Sequence, residues 1–195
     1  MNKTATFYNR FSLLYPVIDI FLARFRKMLI SKVNGQPRGR LLEIGVGTGA
    51  HLQLYKEHII TGIDISSGML QKAKQQCDGR VQLLEMNGEN LEFAEGSFDY
   101  VVLSHVLAVS GNPDKMLSEA YRVMKPGGKL YILNHFTPNN VVQYVDKCFV
   151  PFAKLLHFRP VFRQEEIKGF HTFRLTEEIS LGVVSYFKLL IFTKP

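Results

Sequence analysis

The 195-residue chain has no stretch of 18 or more apolar residues, so no transmembrane helix is expected. The most apolar run near its start, residues 11–22, is broken by Pro16 and Asp19 and lacks a small-residue cleavage site. It does not read as a signal peptide. Cysteine is scarce: Cys77 and Cys148 lie far apart, in no metal-ligand spacing. That argues for two reduced cytosolic thiols, with neither a disulfide framework nor a metal site. Internal repeats, low-complexity tracts and linkers are missing too, and the length fits a single domain, 1–195. Acidic residues are nearly missing from one end. Residues 1–40 carry eight basic side chains against one acid, Asp19, whereas residues 41–195 carry 16 of each sign. The whole net charge of +7 therefore belongs to the first segment. Such an end attracts an anionic surface, lipid or nucleic acid. Hydrophobic content of 46% and charged content of 21% are ordinary for a globular protein.

From Arg40 onward, β-like apolar runs alternate with helical stretches. The runs are 41–44, 59–63, 81–84, 100–103 and 129–133. This alternation predicts βαβ units, a mostly parallel sheet and helices on both faces. Two further strands, 173–178 and 186–192, are expected as an antiparallel pair joined by a turn at 181–185. Before the sheet, Phe7, Tyr8, Phe11, Leu14 and Tyr15 recur at helical spacing. Pro16 suits the first turn of a second helix, whose stripe is Val17, Ile18, Phe21, Leu22, Phe25, Met28 and Leu29. The plan is thus a basic amphipathic segment (1–39), a core (40–136) and a substrate-side region with the last two strands (137–195). Within the last, residues 141–162 mix apolar side chains with Lys147, Lys154, His157 and Arg159.

The richest local signal is Leu41-Leu42-Glu43-Ile44-Gly45-Val46-Gly47-Thr48-Gly49-Ala50, a strand running into a glycine turn and then a helix. Glycine permits the turn and lets a ligand approach the backbone, and a helix start offers free N–H groups. Asp64 ends the second strand, where a carboxylate can accept both ribose hydroxyl protons. The same glycines also satisfy the looser dinucleotide fingerprint. Glu43 favours S-adenosyl-L-methionine instead. An acid two residues before the first glycine can engage a cationic ligand, directly or through water, but would repel a pyrophosphate.

The surrounding blocks resemble those of class I S-adenosylmethionine-dependent methyltransferases. Leu42 to Gly49 resembles their motif I, and Gly62-Ile63-Asp64-Ile65-Ser66-Ser67-Gly68-Met69-Leu70 their ribose motif. Gly88 to Phe93, then Ser97 to Val102, is similar to their adenine loop and fourth strand. Arg122 to Leu130 is similar to their turn into strand five. The resemblance implies a Rossmann-like α/β fold: a seven-stranded, mostly parallel sheet with an antiparallel last strand. It implies S-adenosylmethionine as methyl donor and S-adenosylhomocysteine as product. The cofactor residues it implies are Glu43, Gly45, Val46, Gly47, Gly49, Asp64, Ile65, Met69, Asn87, Gly88 and Ser104. The family normally has Asp where Asn87 stands, yet an amide oxygen can still accept from the adenine amino group.

Methyl transfer asks mainly for alignment and exclusion of water. An amine acceptor must also lose a proton, which a nearby His or Tyr could take. The candidates are His105 and His135, at the ends of strands four and five, and Tyr15 on the N-terminal helices, with Tyr8 beside it. His51 is expected in the helix after the glycine turn. A narrower resemblance, to bacterial phosphatidylethanolamine N-methyltransferases, rests on Asn134-His135-Phe136, Leu156-His157-Phe158-Arg159-Pro160 and Tyr8-Asn9-Arg10-Phe11 with Tyr15-Pro16. Quinone-ring C-methyltransferases share many of these pieces. The resemblance implies a lipid or small-molecule acceptor and a cytoplasmic enzyme, peripheral on the inner membrane face. Phe7, Phe11, Phe21 and Phe25 with Arg10, Arg24, Arg26 and Lys27 would meet an anionic bilayer. A nicotinamide oxidoreductase and a non-catalytic adenosylmethionine-binding module stay as alternatives. No nucleic-acid partner is expected, because no Asn/Asp-Pro-Pro-Tyr/Phe motif or RNA-binding appendage is found.

Overall fold

A computed structural model describes residues 15–77, 79–137, 161–182 and 186–195, with side chains from Leu22 onward. The first expected helical piece, the region 141–160 and residues 183–185 of the expected turn lie outside the described residues. The strands are β1 Arg40–Ile44, β2 Ile59–Asp64, β3 Val81–Glu85, β4 Phe98–Ser104, β5 Met124–His135, β6 Arg174–Leu181 and β7 Phe187–Thr193. They form one sheet in the order β3-β2-β1-β4-β5-β7-β6. Strands β1 to β5 are parallel. β7 runs against both β5 and β6, with His135 opposite Phe187. The expected mostly parallel, seven-stranded Rossmann-like sheet is therefore present.

Strand residues alternate between two apolar layers. Leu42 and Ile44 face a cluster with α3, Pro113–Val123, which contributes Met116, Leu117, Ala120 and Val123. Leu41 and Val102 face the other way, onto Phe25, Leu29, Ile30 and Val33 of α1, Tyr15–Asn34, and Leu70 of α2, Ser67–Gln76. Local chemistry starts α2 and α3 where they start. Ser66 accepts the Met69 N–H at 3.3 Å, and Asn112 accepts the Lys115 N–H at 3.1 Å ahead of Pro113. Helix α1 corrects one expectation. Phe25 is buried in the core, 5.2 Å from the Phe187 ring, so it cannot insert into a bilayer. Arg24, Lys27 and Met28 form the outward face instead.

Two other expectations change. β5 begins at Met124, five residues before the expected start. Its Pro126-Gly127-Gly128 is absorbed as an irregularity in the β4 pairing, tied by Gly127 N–H to Lys194 O at 2.9 Å and Lys194 N–H to Gly128 O at 3.0 Å. No α-helix follows the glycine turn, only a 3-10 turn at Leu52–Leu54. Length gives the reason. Residues 50–58 must return along six-residue β2, about 20 Å, while nine helical residues advance only about 14 Å. The connection therefore uses extended backbone, and the helix start expected to present N–H groups is replaced by the turn's own amides.

Candidate cofactor and acceptor site

The carboxyl ends of β1, β2 and β4 converge where the strand order reverses, between β1 and β4. That is where open α/β sheets bind ligands. A cavity of about 300 Å³ lies there, walled by Gly45, Gly47, Asp64, Gly88, Ser104 and His105 among others. Its floor is the glycine turn. Gly45 and Gly47 have φ of +78° and +56°, which side chains other than glycine seldom adopt. A Cβ on Gly45 would come within 2.6 Å of Val106 Cγ2, whereas one on Gly47 would meet no protein atom within 4 Å. Gly47 thus keeps its backbone open on the ligand side. Asp64 locks the turn: Oδ2 accepts the Gly47 N–H at 2.8 Å and Oδ1 the Ser66 N–H at 2.9 Å. Burial raises the Asp64 pKa, and the backbone donors of Ser66 and Gly47 oppose it.

Ile65, Met69 and Asn87 also line the cavity. The Asn87 side-chain oxygen accepts the Glu89 N–H at 2.9 Å, closing a local turn. Sequence reasoning passed over Met86, Glu89, Val106, Val109, Ser110 and Met116, which complete this wall. Glu89 also accepts the Asn112 N–H at 2.9 Å, joining the loop to the start of α3. Glu89 lies in the block that resembles the adenine loop, and nothing local marked the others.

Glu43, Val46 and Gly49 do not line the cavity. Val46 packs on Gly62, and Gly49 backs onto Ala73 and Leu52. Glu43 is wholly buried beneath the turn, with Oε1 joined to His51 Nε2. Tyr55 closes this pocket, its ring edge-on to His51 at 6.4 Å. Burial and the Glu43 carboxylate push the Tyr55 pKa well above its ordinary value. His51 therefore sits under the turn rather than in a helix, and Glu43 meets a protein partner before any ligand.

The β4–β5 side differs. Ser104 Oγ and His105 Nε2 are buried on the cavity wall without a protein partner among the described residues. His105 is the one described non-glycine residue with positive φ, +58°. Its ring packs edge-on to Phe187 at 5.8 Å. Burial first, then the charges of Arg26, His135 and His51, hold its pKa down at about 3. His135 is near but off the wall, stacked on Tyr186 at 5.5 Å. Tyr15 opens α1, and its side chain lies outside the described residues.

These residues fit an adenosylmethionine. The second strand ends on a carboxylate, a glycine leaves room for close approach, and the volume falls in the range of small-molecule sites. The cofactor supplies an electrophilic methyl group on positively charged sulfur.

Residues 42–132 match a family described as "Methyltransferase domain". The phosphatidylethanolamine N-methyltransferase of Cereibacter sphaeroides is 30% identical over 176 residues, 87% of this chain and 86% of that protein. A ubiquinone/menaquinone biosynthesis C-methyltransferase of Geotalea daltonii is 31% identical over 160 residues, 76% of this chain but 64% of the relative. In fold, a Haloferax volcanii protein solved with the Trm112 methyltransferase activator superposes with a TM-score of 0.80 at 16% identity, covering 100% and 99% of the two chains. Strand order, glycine turn and these similarities converge, and the chain belongs to the class I S-adenosylmethionine-dependent methyltransferases.

Proposed function

We propose that the enzyme methylates the amine of an ethanolamine phospholipid headgroup at an anionic membrane surface. The similarity to the Cereibacter sphaeroides enzyme carries this reading, because it runs through 87% of this chain and 86% of that one. The C-methyltransferase similarity leaves over a third of its relative uncovered. In this reading the backbone at Gly45 and Gly47 meets the methionine part of the cofactor. Asp64 holds the ribose, and Asn87 and Gly88 meet the adenine between Ile65 and Met69. Glu43, Val46 and Gly49 support the turn from below. The basic outward face of α1 supports membrane attraction at roughly 1 kcal/mol per Lys or Arg. Among the described residues no helix is long and apolar enough to cross a membrane, so attachment would be peripheral.

The test is transfer of a tritiated methyl group to vesicles of phosphatidylethanolamine and phosphatidylglycerol, against a demethylated quinone precursor. Label in the phospholipid amine is expected. Label in the quinone ring alone overturns the reading and favours the C-methyltransferase alternative, which the 31% identity supports. Arg24→Glu with Lys27→Glu should release the protein from these vesicles and leave cofactor affinity intact, as co-sedimentation and calorimetry would read. Arg26 is left out because it is half-buried and acts on His105.

A further inference from the structure

His105 is held where few side chains go. It follows directly on β4 and adopts φ +58° while its N–H still bonds Leu133 O in β5 at 2.7 Å. Strained backbone of this kind persists where the surroundings over-determine it, and it concentrates at functional sites. The consequence here is a ring on the cavity wall, braced by Phe187, with Nε2 buried and unmatched by the described protein. Ser104 Oγ is buried and unmatched beside it in sequence.

We propose that His105 binds the methyl acceptor as its neutral amine, Nε2 accepting an N–H hydrogen bond that aims the nitrogen lone pair at the donor methyl. This rests on the amine acceptor argued above. It also assigns the histidine a role other than proton acceptor. Burial, Arg26 from α1, His51 from the turn after β1 and His135 from β5 keep the imidazole uncharged, while the uncharged Phe187 packs against it from β7. With its pKa lowered to about 3, the ring is a weak base and is poorly suited to take a proton from an ammonium. The burial that disfavours an imidazolium also disfavours an ammonium, so the amine loses its proton to water before it binds. The nitrogen–carbon bond then forms as the carbon–sulfur bond breaks, sulfur keeping the electron pair. The new secondary ammonium gives a proton to water on release.

Three readouts test this on the full chain with phosphatidylethanolamine vesicles. Nitrogen-15 NMR should find the His105 ring neutral from pH 5 to 8, a titration near 6.5 being the overturning result. The rate should climb with pH following the amine, without a break near 6.5. His105→Gly relieves the backbone and removes the acceptor. It should lower kcat/KM roughly 10- to 100-fold, with cofactor affinity and the shape of the pH profile unchanged. His105→Asn tolerates the left-handed backbone and keeps an acceptor oxygen, so it should recover most of that loss. Wild-type kcat and KM in His105→Gly, or a changed pH profile, would overturn the assignment while transfer to lipid stands. No transfer to the lipid by the wild-type protein overturns the amine reading itself.

Discussion

The two sides of the cavity satisfy their polar groups differently. On the β1–β3 side the chain answers itself. Asp64 takes the Gly47 and Ser66 amides, Asn87 takes the Glu89 amide, and Glu89 takes the Asn112 amide. On the β4–β5 side, Ser104 Oγ, His105 Nε2 and Asn134 Oδ1 are buried without protein partners among the described residues. An unmatched buried polar group costs about 1–3 kcal/mol, and two of these three, on Ser104 and His105, belong to residues of the cavity wall. In the proposed reading, the first side is built in advance for a constant donor and the second is completed by the acceptor. The cluster beneath the turn is the exception on the first side: among the described residues Glu43 Oε2, His51 Nδ1 and Tyr55 Oη also lack partners.

Substitutions on the prepared side should break this contrast most sharply. Gly47→Val fills the open face of the turn with a β-branched side chain in a left-handed conformation. No measurable adenosylmethionine affinity is expected by calorimetry, and near-wild-type affinity would remove the turn from the site. His51→Leu strips Glu43 of its partner at 0% exposure. A loss of roughly 3–5 kcal/mol of stability is expected for a broken buried pair, read as a lower Tm, and His51→Leu with Glu43→Gln should recover part of it. A melt unchanged by His51→Leu would show that the pair is not holding the turn. Asp64→Ala removes the acceptor for two amides and a charge facing the cavity. Cofactor affinity should fall by about 1.5–3 kcal/mol. An equal loss of acceptor affinity in the absence of cofactor would erase the distinction between the two sides.

How much of this could be read in advance follows from range. The strands at 41–44, 59–63 and 100–103 were legible because buried parallel strands are continuous apolar runs. Gly45, Gly47 and Asp64 were legible because a tight turn and a strand-end carboxylate are set within a few residues. The burial of Glu43 against His51 was not legible, because it depends on how residues 50–58 cross the sheet. The wall formed by Val106, Val109 and Met116 was missed because it depends on where the β4-to-α3 connection folds back. His105 was legible as a candidate proton acceptor, but the lowering of its pKa, by burial first and then by Arg26, 79 positions away, was not. Likewise the phenylalanine stripe of α1 gave amphipathicity without direction. Phe25 turned inward because Phe187 of β7 is there to receive it.

The smallest expected effect concerns what braces the prepared side from behind. Glu119 of α3 accepts the Leu91 N–H at 2.7 Å and pairs with Arg122, whose guanidinium also donates to Leu91 O and Phe93 O at 2.8 and 2.7 Å. The Arg122 hydrogen bond, with the Leu91 amide and the Arg122 and Lys115 charges, holds the Glu119 pKa below its ordinary value against burial. A carboxyl depressed in the folded state adds stability above its unfolded pKa, about 4.3. That stability is lost as pH falls through the folded pKa. Because the side chains are 18% and 35% exposed, solvent screens the pair, and about 0.5–1 kcal/mol is expected. Glu119→Gln keeps the amide acceptor and removes only the charge. Its Tm should lie slightly below wild type at pH 7, and the gap should narrow below about pH 4.3 and close as pH falls through the depressed folded pKa. Adenosylmethionine affinity should stay within about twofold, since the pair lies behind the wall and not on it. A Tm gap that survives in acid would mean that packing rather than charge holds the brace. A tenfold loss of affinity would mean that the loop from Gly88 to Phe93 is not set in advance, and the contrast between the two sides would fail at its own support.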